Sequence, residues 1–163
     1  MNINTTKGKV FKDGAEMSHP DSLAKYLEQG RRIWINDSYW LVMPFKMKDP
    51  GVTLKYVGED TTQKGVKADV IRLTYKGVGV TPGNAYNVWV NKKTNMVDQW
   101  AFYREATQAK PNFVDTWTDY RSHGKIKLSG SRGERKIEDI HVLSKLPESV
   151  FNSFSVVDLS KYQ

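Results

Sequence analysis

Apolar and polar positions along this chain alternate in short runs, and turn residues separate the runs. Residues 52–57 (VTLKYV) set Val52, Leu54 and Tyr56 on one face of a strand. Residues 68–75 (ADVIRLTY), 86–90 and 96–103 read as further strands, the last two joined by the hairpin loop 91–95 (NKKTN). In that hairpin the alternation groups Val88, Val90, Val97 and Ala101 on one face, with Trp89, Trp100 and Phe102 on the other. Residues 113–121 (FVDTWTDYR), 126–128 and 135–143 continue the series, with a turn at 129–133 (SGSRG). A strand over 7–12 precedes them and ends at Asp13-Gly14.

Helical spacing is confined to two places. Ser18 is a cap, Pro20 suits a first turn, and Leu23, Tyr26 and Leu27 fall at i, i+3, i+4 before Gly30 stops the helix. Leu146-Pro147-Glu148-Ser149 starts a second short helix, and the tail from Val156 has no assignment.

The stretch 34–56 (WINDSYWLVMPFKMKDPGVTLKY) holds two of the five tryptophans and the densest apolar run. Asn36-Asp37-Ser38 reads as a turn, because Asn and Asp tolerate left-handed backbone angles and bond their own backbone. The flanks, 32–35 and 39–43, then form a β-hairpin. The second flank does not alternate as a half-wet strand does, so both its faces are covered, by protein or by a ligand. Eight to ten strands with short connections predict an antiparallel meander, and aromatic residues on both faces predict strong curvature.

Length and composition narrow the class. The 163 residues suit one domain, long enough to bury roughly 68–70% of its unfolded surface. With no cysteine there is no disulfide, thiolate metal site or cysteine nucleophile. No run approaches the ~20 apolar residues of a membrane span, and the first residues lack the apolar core of a signal peptide. The chain therefore reads as soluble, without an export address. The formal charge of +7 raises nucleic acid as a partner. The basic residues are nevertheless spread over strand ends and loops, which fits a solubilising surface and disfavours nucleic acid.

Candidate chemistry is sparse. His19, His123 and His141 stand apart, at no metal-ligand spacing, so no metal site is predicted. Asp115 and Asp119 share a strand face but sit roughly 13 Å apart, from the ~3.3 Å rise per residue, too far for a catalytic dyad. The glycines of 76–83 (KGVGVTPG) lack phosphate-loop spacing and a following helix, and no serine lies in a G-x-S-x-G elbow. Neither an enzyme nor a cofactor is predicted. Trp34, Trp40, Trp89 and Trp100 fit three roles: core packing, walls of an apolar cavity, or a stacking platform for single strands.

The hairpin 88–103, with Asn91 and Asn95 bracketing its Lys-Lys-Thr loop, resembles the strand, Asp-Lys-x-Thr-Gly, strand element of the outer-membrane lipoprotein carrier (LolA/LolB-like) superfamily. Trp117-Thr118-Asp119-Tyr120-Arg121, then Gly124-Lys125-Ile126, is similar to its DYR strand pair, and 146–151 (LPESVF) to its closing turn. The 34–56 motif looks closer still to a group of uncharacterised secreted bacterial proteins carrying WINDSYWLxMPFK. The resemblance covers about residues 7–154, leaving 155–163 as a tail. It implies an incomplete half-barrel, a curved antiparallel sheet with helices over an apolar concave side that takes acyl chains, and an exported or periplasmic location. Relatives have an export signal, a helix and further strands before the position of Lys7. Lacking these, the sequence reads as a fragment or a reduced member with an unpaired sheet edge.

The expectation is thus a mainly β single domain, 1–163, with one or two short helices. It would be a non-enzymatic binding domain for an acyl chain, lipid or lipid-modified peptide. The alternative is a structural or protein-interaction domain using its aromatic surface or open edge, as a monomer or weak dimer. The candidate pocket residues are Trp34, Trp40, Val42, Met43, Phe45, Leu54, Tyr56, Trp89, Trp100 and Phe102.

Overall fold

A computed structural model describes residues 1–162. The fold is mainly β, every strand pair is antiparallel, and no closed barrel forms among the described residues. The chain divides into two compact units, one of Met1–Ser38 with the chain from His141 onward, the other of Tyr39–Ile140. In the first unit, β1 (Phe11–Lys12) and β2 (Ala15–Glu16) form a small hairpin. Phe11 stacks on Phe154 at 4.8 Å, and Lys12 lies over the Tyr26 ring. A four-residue helix, α2 (Ser149–Asn152), and a 3-10 turn (Leu159–Tyr162) lie near the C-terminus.

The largest departure from the sequence reading is α1, which runs unbroken over Pro20–Lys46. The predicted start at Pro20 holds. The predicted stop at Gly30 and the hairpin over 32–43 do not form. Half-buried positions fall at 22–23, 26–27, 30–31 and 35, a stripe of helical period, and 38–44 with 46 are then half-buried or buried on nearly every side. Gly30 sits in that stripe at the ~1 kcal/mol that glycine costs a helix interior. Asn36 and Asp37 lie on the exposed side, bonded to each other at 3.1 Å, so their turn chemistry is not used. The apolar run is two-sided because it is helical.

The second unit carries the end of α1 and two sheets. The five-stranded sheet has the order β3 (Val52–Thr61), β4 (Lys67–Tyr75), β5 (Ala85–Asn91), β6 (Val97–Tyr103), β7 (Phe113–Thr116). The three-stranded sheet orders β10 (Arg135–Lys136), β9 (Ile126–Arg132), β8 (Thr118–His123). Four sequence expectations are corrected. The predicted strand over 113–121 breaks at Trp117, whose N–H leaves the ladder to donate to the Asp98 carbonyl at 2.8 Å. Asp119 is there in left-handed backbone (φ 58°), so it does not share a continuous face with Asp115. Most of the predicted turn at 129–133 belongs to β9, because Ser129 and Ser131 satisfy their hydroxyls on nearby carbonyls, Ser131 on that of Gly133 at 3.0 Å. The strand over 135–143 shrinks to two residues, since its charged alternation offers no apolar face to bury. Likewise only Phe11 and Lys12 of 7–12 are paired there as a strand.

Two bulges set which side chains share a face. In β3 the register passes from Tyr56↔Ile71 to Gly58↔Val70, with Val57 extra. In β6 it passes from Trp89↔Gln99 to Val90↔Val97, with Asp98 extra. Directly opposed residues point the same way. Val88 therefore lies beside Trp100 and Tyr86 beside Phe102, while Trp89 and Ala101 lie on the reverse face. The sequence grouping put Trp89 with Trp100 and Ala101 with Val88. Pairing register and the extra Asp98 overturn it.

Candidate ligand-binding face

The sheet face that carries Trp100 is an aromatic layer. Trp40 and Tyr39 come down from the last turns of α1, Tyr75 and Tyr86 stand on β4 and β5, Trp100 and Phe102 on β6, and Trp117 follows β7. Trp40 meets Trp100 with ring centroids at 4.5 Å and Trp117 at 6.2 Å, and Trp100 meets Phe113 edge-on at 5.0 Å. Met43 and Met47 add flexible thioethers to the same packing. The hydroxyls of Tyr39 and Tyr75 bond to each other, and burial pushes both phenols, and that of Tyr86, above the ordinary tyrosine value.

The layer is closed at its centre and open at one side. Trp100 is 3% exposed, and Val88 beside it is fully buried. Leu54 and Tyr56 stand on the same face through their partners Leu73 and Ile71, yet are 38% and 60% exposed. Tyr56 donates to Asp69 at 3.2 Å, while Lys92 bridges Glu59 and Asp69, giving this flank a polar rim.

The closed side is anchored by a buried cation. Arg132 is 3% exposed, and its guanidinium lies 3.4 Å from the centre of the Trp117 ring. Nη1 donates to the Ser129 carbonyl at 3.0 Å, the Ser129 hydroxyl at 2.6 Å and the Ser131 carbonyl at 3.0 Å. Nη2 donates to the Trp40 carbonyl at 2.6 Å. That carbonyl is free because Pro44, four residues on inside the helix, has no N–H to give it. Among the described residues no carboxylate pairs with Arg132, and burial lowers its pKa to about 10. Three buried N–H groups of this layer have no acceptor among the described residues: Arg132 Nε, Trp100 Nε1 and Trp117 Nε1.

The sequence candidates separate into four groups. Trp40, Met43, Trp100 and Phe102 are brought together, but as packed layer rather than bare wall. Leu54 and Tyr56 form the open flank. Val42 is half-buried and Phe45 exposed in the last turns of α1. Trp34 belongs to the other unit, exposed on α1, and Trp89 lies on the reverse face, where its indole N–H donates to Asp60 at 3.0 Å. Of the tryptophans proposed as a stacking platform, Trp40 and Trp100 pack on each other and Trp89 lies on the reverse face. Sequence reasoning missed Tyr39, Tyr75, Tyr86, Trp117 and Arg132. Pro44 was the signal for one contact, since a helical proline always frees the carbonyl four residues back.

Among the described residues, no three His, Asp or Glu side chains gather as a metal site would require. No helix is long and apolar enough to cross a membrane. In comparison with known proteins, no family model, no curated protein and no solved structure matches this chain.

Proposed function

We propose that the chain is a non-enzymatic binding domain that takes an apolar chain, of acyl or lipid type, along the aromatic face of the five-stranded sheet. One observation carries this reading: a single apolar face is sealed at Trp100 and left open at Leu54 and Tyr56. An alkyl chain laid on that flank removes apolar area from water without disturbing backbone pairing, at about 25 cal/mol per Å². The resemblance to lipoprotein carriers supports the same ligand class. The test is a series of fatty-acyl ligands of rising chain length, followed by tryptophan fluorescence and melting temperature. Binding raises the melting temperature and strengthens with chain length, and Leu54→Asp with Tyr56→Asp removes both effects. No response at any length sinks the proposal.

A second reading rests on a different observation. β3 is the terminal strand of its sheet, and its outer edge is unpaired among the described residues. Val52–Tyr56, ahead of the bulge, offers a regular five-residue edge on which a protein partner adds an extended strand. Light scattering and amide exchange on β3 test it. Monomers whose β3 amides exchange freely in the presence of candidate peptides count against it.

A further inference from the structure

The first unit, Met1–Ser38 with the chain from His141 onward, has no core of its own among the described residues. Every buried residue lies in Tyr39–Ile140, whereas eight of the thirteen exposed large apolar side chains lie in the first unit. Two of the eight, Ile33 and Trp34, are adjacent on α1 and about half exposed. The β1–β2 hairpin sits beside the same helix, since Lys12 lies over Tyr26. It carries Phe11, with Phe154 stacked on it, and both rings are again about half exposed. The eight side chains together expose on the order of 600–1,000 Å², taking about half of the 150–250 Å² that an aromatic residue buries. One partner's share of a standard interface is ~800 Å².

The pattern of α1 around Trp34 says what covers this face. Three residues before Trp34 stands Arg31, and three after it stands Asp37. Residues three apart share a helix face. A twofold axis at Trp34, crossing α1 with the α1 of a second copy in antiparallel sense, therefore sets Arg31 against Asp37 of the second copy, and the reverse. Arg31 gives Nε and Nη2 to Glu28, which leaves Nη1 for the new contact, and Asp37 is exposed. Met1, lying over Gly30 one turn earlier, closes the rim. The unit carries eight Lys and Arg against seven Asp and Glu, a net +1, so pairing through it meets little local repulsion.

We propose that the first unit is a self-association surface, and that two copies of the chain pair through antiparallel α1 helices crossing at Trp34. The crossing angle common to packed helices confines the contact to about two turns. Such a contact is weak, with a dissociation constant on the order of 10 µM or above, so solutions of about 1 µM hold the single chain.

The experiment follows the full chain by light scattering and NMR across that dissociation constant. The mass should double as concentration rises. The Trp34 indole signal should move with it while that of Trp100 stays in place. Asp37→Lys sets like charges against each other and should weaken pairing at least about tenfold. Arg31→Glu with Asp37→Lys restores opposite charges and should recover most of it. A single mass at every concentration overturns the proposal, and so does a dimer that Asp37→Lys leaves intact, which would pair elsewhere, as at the β3 edge. A chain that stays single but sediments with phosphatidylcholine vesicles overturns it in favour of a lipid surface.

Discussion

Arg132 donates from Nη2 to the carbonyl of Trp40 at 2.6 Å, the one carbonyl of α1 that Pro44 deprives of its helical donor. A proline in the helix and an arginine 88 positions further along the chain (132 − 44) thus complete one hydrogen bond between them. The Arg132→Met variant leaves that carbonyl bare and removes the cation from Trp117, and should destabilise the chain by about 2–4 kcal/mol. In a Pro44→Ala background the helix supplies its own donor to Trp40. The same arginine substitution should then cost about 1 kcal/mol less, a coupling that a double-mutant cycle of denaturant unfolding measures.

Two of the candidate tryptophans, Trp100 on β6 and Trp34 on α1, should behave differently. Trp100→Ala opens a cavity among Trp40, Trp117 and Phe113, and should cost about 3–5 kcal/mol. Trp34→Ala removes an exposed ring from the outside of α1, and should change stability by no more than about 0.5 kcal/mol. Thermal unfolding of the two variants side by side decides this.

Alkaline pH should unfold the chain through its buried phenols. Tyr39, Tyr75, Tyr86 and Tyr120 all have pKa values raised by burial above the ordinary 10. Their contribution to stability is whole below about pH 10, where the unfolded chain also keeps its phenol protons. It is lost as pH climbs through the raised folded values. Arg132, lowered to about 10, acts in the opposite sense and returns some stability between about pH 10 and 12.5, but it is one group against four. Tyrosinate absorbance should show these four silent past pH 10 and then titrating together with loss of the fold. Their independent titration near pH 10 in a folded chain contradicts the packing.

Gly133 and Gly124 both have left-handed backbone, with φ of 65° and 60°. A side chain at Gly124 meets open space, whereas one at Gly133 runs into the Asp115 carboxylate, which accepts from the Thr116 N–H at 2.8 Å. Gly124→Ala should therefore cost about 1 kcal/mol of backbone strain, and Gly133→Ala clearly more. Chemical denaturation of the pair checks the order.

Removing the acceptor of Trp89 isolates the reverse face. Asp60→Ala removes the acceptor of the indole N–H and should cost about 0.5–1.5 kcal/mol, the net worth of one hydrogen bond. The Trp89 indole resonance should shift while that of Trp100, on the other face, stays in place.

The β strands from Val52 to Tyr103 were legible in the sequence because their alternation, turn residues and hairpin loop are local properties of the backbone. So were the start of α1 at Pro20 and the antiparallel arrangement that short connections require. Its continuation through Asn36-Asp37-Ser38 was not, because the turn preference of those residues is weak beside the burial of a stripe through Ile35, Tyr39 and Met43. Trp40, Met43, Trp100 and Phe102 could be named as candidates from their bulk alone. Tertiary structure decided that they pack on one another, that Trp89 faces away, and that Leu54 and Tyr56 stay open. A single extra residue in β3 or β6 reverses every face beyond it, and register is fixed by pairing between strands. The contact of Arg132 with Trp40 is of the same kind: the sequence determined that Pro44 would free a carbonyl once a helix formed, and only the fold brought a donor to it.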